Sequence, residues 1–237
     1  MELSARASYL NGVREALGVP VLVLVAGYLG FGALAGASGV SLWFAVISSV
    51  TIWALPGQLV LLDMWQAGAP LIAVILAVSL ANARFLPMTM TLMPMLRDDS
   101  HPTWRYYLAA HLVAMVAWVA CMRRCPGMPA RERLHFFMGF GTVCVVSCEV
   151  MVAIGYLIAD AIPQQLQIGL VFLSPLYFFV IMAGEVRSRL MALALGCGAV
   201  AGPLCQLYSP QWGVLMAGVG GGSVAFLILK ATSSKHA

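Results

Sequence analysis

Long apolar stretches alternate with short polar connections along the whole chain. Eight such stretches can be delimited, at 18–37, 41–62, 70–95, 106–122, 136–158, 166–184, 189–206 and 212–230. A membrane-spanning helix needs about 20 predominantly apolar residues, and each stretch reaches that length with its flanking residues. Backbone groups in lipid must bond within their own segment, so these stretches are expected to be helices. The pattern predicts an all-α polytopic membrane bundle of about eight transmembrane helices.

Composition supports this interpretation and excludes a soluble protein. Of the 237 residues, 62% are hydrophobic and only 9% are charged, whereas soluble domains carry about 25% charged residues. The polar connections are too short to fold alone, so residues 1–237 are expected to form a single integral membrane domain. No glycine-rich nucleotide-binding loop with lysine occurs. We therefore expect no cofactor, and the net charge of +4 gives no reason to expect nucleic acid as a partner.

Basic residues are distributed asymmetrically between the connections. If the N-terminus is inside, the cytoplasmic ends and connections hold ten Lys and Arg, and the external loops hold only Arg97 and Arg105. This bias follows the positive-inside rule. It predicts that both termini lie in the cytoplasm, with the chain in the inner membrane. The two exceptions share the 97–105 loop.

Helix-breaking and polar residues interrupt the first three apolar stretches, which are therefore predicted to be broken spans. Glycine and proline interruptions in spans point to transporter binding sites, where half-helix ends face the substrate. Arginine at mid-membrane depth costs several kcal/mol unless it has a partner or a wet cavity. The interrupting residues are Gly27, Gly30, Gly32 and Gly36 in the first stretch, Pro56, Gly57 and Gln58 in the second, and Asn82, Arg84 and Pro87 in the third.

Close helix packing is the other explanation for the glycines. Gly32 and Gly36 have the small-xxx-small spacing that lets two helix backbones approach each other. For the glycines alone, packing is the preferred interpretation. Packing does not require an arginine, so the combination of Pro56–Gln58 with Asn82 and Arg84 favours a binding site.

These residues resemble the AzlC-type large subunit of branched-chain amino acid exporters. The segments "REALGVPVLVLVAGYLGFGALAGASG", "SSVTIWALPGQLVLLDMWQAGAP" and "LIAVILAVSLANARFLPMTMTLMPML" carry the resemblance. The matching motif residues are Gly27, Tyr28, Phe31 and Gly32, then Gln58, then Asn82 and Arg84. The resemblance implies a multi-pass permease with a separately encoded AzlD-type small membrane subunit of about four spans. Phe85 stands where relatives commonly have histidine, and this leaves the substrate open.

The predicted activity is export of branched-chain or other small hydrophobic amino acids by ion- or proton-coupled secondary transport. A guanidinium can bind a carboxylate through two parallel hydrogen bonds, so Arg84 is the predicted carboxylate anchor. Asn82 and Gln58 would orient the ligand. The predicted substrate-binding residues are Arg84, Asn82, Gln58, Gly57, Pro56, Tyr28, Gly27, Gly32 and Phe31.

Glu149 is the second ionisable group inside an apolar stretch. It is the candidate for proton coupling, because a carboxyl group in apolar surroundings can take up and release a proton. The alternative role for Arg84 is a salt bridge to Glu149 that only clamps helices together.

Some residues are also compatible with two other functional classes. Cys144 and Cys148 lie four residues apart beside Glu149, and soft ligands of this kind suit Cu(I) or Zn(II), so a soft-metal or other small-solute transporter is the alternative function. No metal site is predicted, because cysteine in membrane helices is usually a small apolar filler. A membrane enzyme is less favoured, because no acid lies at a mechanistic spacing from the histidines. His111 is predicted to be a packed, hydrogen-bonded residue.

Overall fold

The computed structural model describes residues 5–98, 100–184, 189–208 and 220–228, and every regular element within these ranges is helical. The α-helices are α1 (Ala5–Ala16), α2 (Val19–Ala37), α3 (Leu42–Ile52), α4 (Leu55–Gln66), α5 (Leu71–Ala81), α6 (Phe85–Leu96), α7 (Thr103–His111), α8 (Met115–Arg124), α9 (Ala130–Leu157), α10 (Gln164–Gly184) and α11 (Arg189–Tyr208), with short 3-10 turns at Cys125–Gly127 and Ala159–Ala161. Residues 220–228 are also helical. The prediction of an all-α chain is confirmed.

The chain divides into two compact units, Met1–Leu176 and Tyr177–Ala237. In the second unit, Gly221 approaches the backbone of Cys197 on α11. The candidate site lies in the first unit, whose organising element is the 28-residue helix α9. We describe positions in this unit by the two ends of α9, the Ala130 end and the Leu157 end.

Helix α2 packs along α9 in the same direction. A Cβ atom at Gly32 would clash with the Val152 carbonyl, and one at Gly155 would clash with the Leu29 carbonyl. The packing interpretation of Gly32 is therefore confirmed. The first span does not break at its glycines, because α2 is continuous from Val19 to Ala37, and the chain bends instead between α1 and α2. Helix α2 is continuous because a glycine costs a helix only about 1 kcal/mol, which close packing can offset.

Helices α3 and α4 form a hairpin that starts and ends at the Leu157 end. The hydroxyl of Tyr156 donates to the carbonyl of Val40, just before α3, at 2.8 Å. The rings of Phe44, early in α3, and Trp65, late in α4, are 5.1 Å apart. Each helix is about 16–18 Å long, roughly half the thickness of the hydrocarbon core. The second apolar stretch thus reverses direction and does not cross the unit.

The predicted interruption in this stretch is present but lies three residues earlier than expected. The helix breaks at Trp53 and Ala54, and Pro56 lies in the first turn of α4. Proline is tolerated there because the first amides of a helix have no intrahelical acceptor.

Helices α5 and α6 together cross the unit from the Leu157 end to the Ala130 end. They meet at a bend of 52°, at the turn Asn82–Arg84. At the far end, Nη1 of Arg133 donates to the Met95 carbonyl at 3.2 Å. The predicted break of the third span is therefore confirmed.

Helices α7 and α8 form a second hairpin, which starts and ends at the Ala130 end. Before α7, the rings of His101 and His135 are 4.9 Å apart, and Nε2 of His101 lies 3.4 Å from the Arg131 carbonyl. After α8, a single 3-10 turn leads to Ala130, and Arg124 pairs with Glu15 at 3.0 Å. The fourth apolar stretch also reverses direction.

This arrangement corrects the predicted topology. The 97–105 loop was expected on the opposite side of the molecule from 123–135, but the contacts of His101 and Met95 place the two segments together. A two-segment pattern, a bent crossing element followed by a hairpin, occurs twice with opposite orientation: α1–α2 with α3–α4, and α5–α6 with α7–α8.

The prediction of eight spans is not confirmed. Among the described residues, α9 alone is long and apolar enough to cross a membrane by itself, and the number rises to three if α1–α2 and α5–α6 each form one bent span. The predicted eighth stretch, 212–230, lies largely outside the described residues.

Candidate functional site

The tip of the first hairpin lies against α2. Trp53, between α3 and α4, has φ 46° and ψ 36°, and it is the single non-glycine residue with positive φ in the described part of the chain. A bulky side chain rarely adopts this left-handed conformation, which packing must therefore hold in place. The Trp53 ring lies 5.6 Å from the ring of Tyr28, and both side chains are buried. The Trp53 indole Nε1 has no hydrogen-bond partner among the described residues.

Gln58 is fully buried one turn into α4. Its Nε2 lies 3.4 Å from both the carbonyl and the hydroxyl of Ser49 on α3, which ties the two arms of the hairpin together. The side chain also neighbours the hydroxyl of Tyr28. Within the described residues, no donor bonds Gln58 Oε1. The Nε2 group of Gln58 therefore contacts the other arm of the hairpin, and Oε1 is available to accept a hydrogen bond from a ligand.

The break of α5–α6 packs against the same hairpin tip. A Cβ at Gly57 would lie 2.6 Å from Oδ1 and 2.7 Å from Nδ2 of Asn82. Only glycine leaves room for the amide at this point. Asn82 Oδ1 is buried and has no partner in the described part of the chain.

Glu149 approaches the tip from α9. It interacts with Ser49 and Tyr28, yet neither carboxylate oxygen accepts a well-formed hydrogen bond from any described residue. Glu149 and Arg84 therefore form no ion pair with each other. The alternative interpretation of Arg84 as a clamp to Glu149 is therefore wrong.

Arg84 lies at the edge of this arrangement. Its guanidinium carbon is 5.4 Å from the ring centroid of Phe85, and the side chain is exposed on the surface of the chain. It interacts electrostatically with Tyr28 across the break of α5–α6. The structure thus brings Arg84 near the hairpin tip, but its guanidinium is not enclosed by this chain.

We name the side chains that meet at this point the central polar cluster: Tyr28, Trp53, Gln58, Asn82 and Glu149. Leaving a buried polar group without a partner costs about 1–3 kcal/mol. Four members of the cluster carry such atoms within the described residues. Orphaned atoms on three separate elements around one point are what a site for a polar ligand requires.

The match to a known family agrees with this geometry. Residues 20–162, more than half of the chain, match the family described as AzlC protein. The chain belongs to the AzlC family. This family is associated with membrane transport and, in general terms, with a small partner subunit. No curated protein and no solved structure is significantly similar to the chain. The matched range includes α2, both hairpins, the break of α5–α6 and α9, which are the elements that build the central polar cluster.

The remaining predicted site residues lie on α2 and α4 and differ in their burial and packing contacts. Gly27 and Phe31 are buried on α2, and Pro56 is half-buried in the first turn of α4. Gly32 faces the Val152 carbonyl on α9. Sequence reasoning missed Trp53 and Ser49. No sequence signal predicts the left-handed conformation of Trp53. Ser49 could have been found from its spacing, since it lies nine residues before Gln58 and the two residues face each other across a hairpin.

The cysteines and histidines make other contacts. Within the described residues, no group of three or more His, Cys, Asp or Glu side chains could hold a metal ion. Cys144 and Cys148 are buried free thiols on α9. His111, at the tip of the second hairpin, lies with Nε2 2.8 Å from the Val50 carbonyl of α3. The prediction that His111 is hydrogen-bonded is confirmed, whereas the prediction that it is packed is wrong, because its side chain is exposed.

Proposed function

We propose that this chain is the large subunit of a secondary transporter that exports branched-chain or other small hydrophobic amino acids. The observation that carries the proposal is the central polar cluster, a set of unsatisfied polar atoms at the breaks of two helical elements within an apolar bundle. Repeats of opposite orientation with discontinuous helices are typical of transporters. The substrate would bind where the hairpin tip meets the break of α5–α6.

In this proposal Arg84 binds the substrate carboxylate. Gln58 Oε1 and Asn82 Oδ1 are hydrogen-bond acceptors, so they suit the ammonium group of the same substrate. The apolar side chain of the substrate would lie against Phe31 and the Tyr28 ring. Glu149 would take up and release the coupling proton, since its oxygens have no bonded partner among the described residues.

The Ala130 end is proposed to face the bacterial cytoplasm. Arg97 and Arg105, which contradicted the positive-inside rule in the eight-span prediction, lie at this end together with Arg131 and Arg133. The segments at the Leu157 end, 37–44, 63–71 and 157–164, contain no Lys or Arg. The hairpin topology therefore satisfies the rule better than eight spans do.

Cysteine labelling tests this orientation. Ser100→Cys should react with a membrane-impermeant maleimide only after the cells are opened, because it lies at the Ala130 end. Ala67→Cys, in the turn after α4, should react in intact cells. The wild type, whose described cysteines are buried or partly buried, gives the background. Labelling of Ser100→Cys in intact cells would contradict the orientation.

A small AzlD-type membrane subunit is proposed to cover Arg84. An exposed guanidinium at the middle of a bent crossing element cannot face hydrocarbon without a cost of several kcal/mol. The neighbouring exposed side chains on α5 and α6 are apolar, among them Ile75, Leu76 and Leu86. A membrane partner on this face would enclose the substrate carboxylate together with Arg84.

Export of preloaded, labelled valine, leucine and isoleucine tests the proposal. Cells would express the small membrane protein with wild type, Arg84→Ala or Arg97→Ala, at matched membrane abundance. We expect export by wild type and Arg97→Ala, and loss of at least about tenfold for Arg84→Ala, as removal of one charge-assisted bond predicts. If wild type exports none of the three, the substrate assignment is wrong. If Arg84→Ala exports normally, the carboxylate anchor lies elsewhere.

A further inference from the structure

An open cavity of about 700 Å³ lies at the Leu157 end of the first unit, apart from the central polar cluster. Helix α2, helix α4, the segment that joins α9 to α10 and the start of α10 form its walls. The lining includes Leu34, Leu59, Leu62, Asp63 and Gln167. A cavity of this volume accommodates a small solute.

Two polar groups at this cavity, the carboxylate of Asp63 and Oε1 of Gln167, are hydrogen-bond acceptors. Asp63 is exposed at the cavity, and none of the described residues gives its carboxylate a hydrogen bond or an ion pair. Gln167 is only 2% exposed, and its Nε2 donates to the carbonyls of Ala159 at 3.1 Å and Ile162 at 2.9 Å. These bonds use the donor side of the amide. Gln167 Oε1 has no partner in the described part of the chain.

The charge and the shape of the cavity at the Leu157 end indicate which class of ligand it would bind. The segments around the cavity contain no Lys or Arg, so an anion would find no counter-charge there. A carboxylate and an amide oxygen together suit a protonated amine, which offers three N–H donors and one positive charge. The aliphatic walls formed by Leu34, Leu59 and Leu62 suit a short branched hydrocarbon chain.

The cavity adjoins the central polar cluster through two helices. Leu59 follows Gln58 directly on α4, and Leu34 lies six residues after Tyr28 on α2. A solute in the cavity is therefore within about two helical turns of the cluster.

We propose that this cavity is a second binding site, specific for primary ammonium compounds with a small branched apolar group. Asp63 is the counter-charge and Gln167 Oε1 accepts one N–H of the ammonium group. The cavity differs from the central polar cluster in its charge, since it has a carboxylate at Asp63 and no nearby Lys or Arg. That a small hydrophobic amino acid is the natural occupant rests on the proposed function, whereas the amine specificity rests on the cavity alone.

Ligand binding to the purified full-length chain in detergent tests the site, with isothermal titration as the readout. The probes are isopentylamine, L-leucine and 4-methylpentanoate, which share a branched chain and differ in their charged groups. Isopentylamine and leucine should bind the wild type, and 4-methylpentanoate should not bind at this site. Asp63→Asn should weaken isopentylamine binding at least about fivefold, and Asp63→Glu should restore it to within about twofold.

Asp160→Asn is the matched control, because Asp160 is an exposed acid at the same end that does not line the cavity. It should bind isopentylamine as the wild type does. Unchanged binding by Asp63→Asn overturns the proposal, and so does equal weakening by Asp160→Asn, which would indicate a diffuse surface charge. Preferential binding of 4-methylpentanoate that is lost in Asp63→Asn would also overturn it. If amine binding follows the expected pattern but cells export no amino acid, the proposed function fails and this site stands.

Discussion

The two hairpins have a similar architecture but differ in whether their polar side chains have hydrogen-bond partners. In the second hairpin, His111 contacts the Val50 carbonyl at 2.8 Å and Trp118 Nε1 donates to Thr91 Oγ1 at 2.9 Å. In the first hairpin, Trp53 Nε1 and Gln58 Oε1 have no partner among the described residues. Polar residues at a helix break are therefore not sufficient evidence for a site. The second hairpin uses them to hold the fold, and the first leaves them available.

This difference has an energetic consequence. A satisfied buried hydrogen bond contributes about 1 kcal/mol to folding, whereas an unsatisfied buried group costs about 1–3 kcal/mol. The second hairpin should therefore respond to mutation through stability and the first through transport. Mutations in both hairpins test this contrast.

Gln58→Leu should have the largest effect on transport. It removes the unpaired Oε1, and with it the proposed hydrogen bond to the substrate, so we expect export to fall at least about tenfold. The free energy of unfolding, measured by thermal unfolding in detergent, should change by less than about 1 kcal/mol. The 3.4 Å contacts to Ser49 are weak, and the substitution also removes the buried oxygen that has no partner. A large loss of stability with normal export per folded molecule would contradict the assignment of the first hairpin.

Gly57→Ala should have the next largest effect. The new methyl group would lie 2.6 Å from Asn82 Oδ1 and 2.9 Å from Ile52 Cγ2, so Asn82 must move away from the hairpin tip. We expect a severalfold loss of export and a loss of about 1–3 kcal/mol of stability.

Gly127→Ala is the matched control for this substitution, since nothing lies within 4 Å of a Cβ at Gly127. It should export like the wild type. Equal export by the two alanine variants would show that contact between the hairpin tip and Asn82 is not needed for transport.

His111→Leu should affect stability and not transport. It removes the contact between the second hairpin and the Val50 carbonyl, so the free energy of unfolding should fall by about 1 kcal/mol, the net contribution of one hydrogen bond between exposed residues. Export per folded molecule should stay within about twofold of the wild type. Loss of export at unchanged stability would mean that the second hairpin also belongs to the substrate site.

The sequence contained enough information to locate the central polar cluster approximately. An amide and a guanidinium between two apolar runs predicted the break at Asn82–Arg84, whereas the neighbouring interruption lies at Trp53 and Ala54, and Gln58 lies within α4. Glycine alone was ambiguous, since the same spacing suits packing and ligand access. In the structure Gly32 packs on a backbone carbonyl, while Gly57 makes room for Asn82.

The hairpins could not be predicted from the apolar pattern. A stretch of 20 to 25 apolar residues has the same composition whether the chain continues or reverses at its midpoint. The reversal depends on long-range contacts, such as Phe44 with Trp65 and His101 with Arg131. The position of Arg97 and Arg105 on the wrong side of the eight-span prediction was the one sequence signal of this error.

The smallest predicted effect concerns the loop before the second hairpin. Hydrogen bonds from Ser100, including its backbone N–H to Asp98 Oδ1 at 2.8 Å, hold the pKa of the Asp98 carboxyl below its usual range. Asp98 therefore favours folding above the ordinary carboxyl pKa, and this contribution is lost as the pH falls through the lowered value. Because Asp98 is solvent-exposed, the effect on thermal stability between about pH 5 and pH 2 should be small.

Ser100→Ala separates this contribution from other acid effects. It removes the hydroxyl bond to Asp98, so the pKa of the carboxyl should return towards its usual value, and stability should fall less on acidification than in the wild type. Thermal unfolding of both proteins across this pH range measures the difference. Export at neutral pH should be unchanged, since Asp98 is ionised in both proteins. A steeper loss of stability in Ser100→Ala would mean that the hydroxyl does not favour the carboxylate. Since Tyr106 on α7 still bonds the Asp98 backbone, the second hairpin should keep its position throughout.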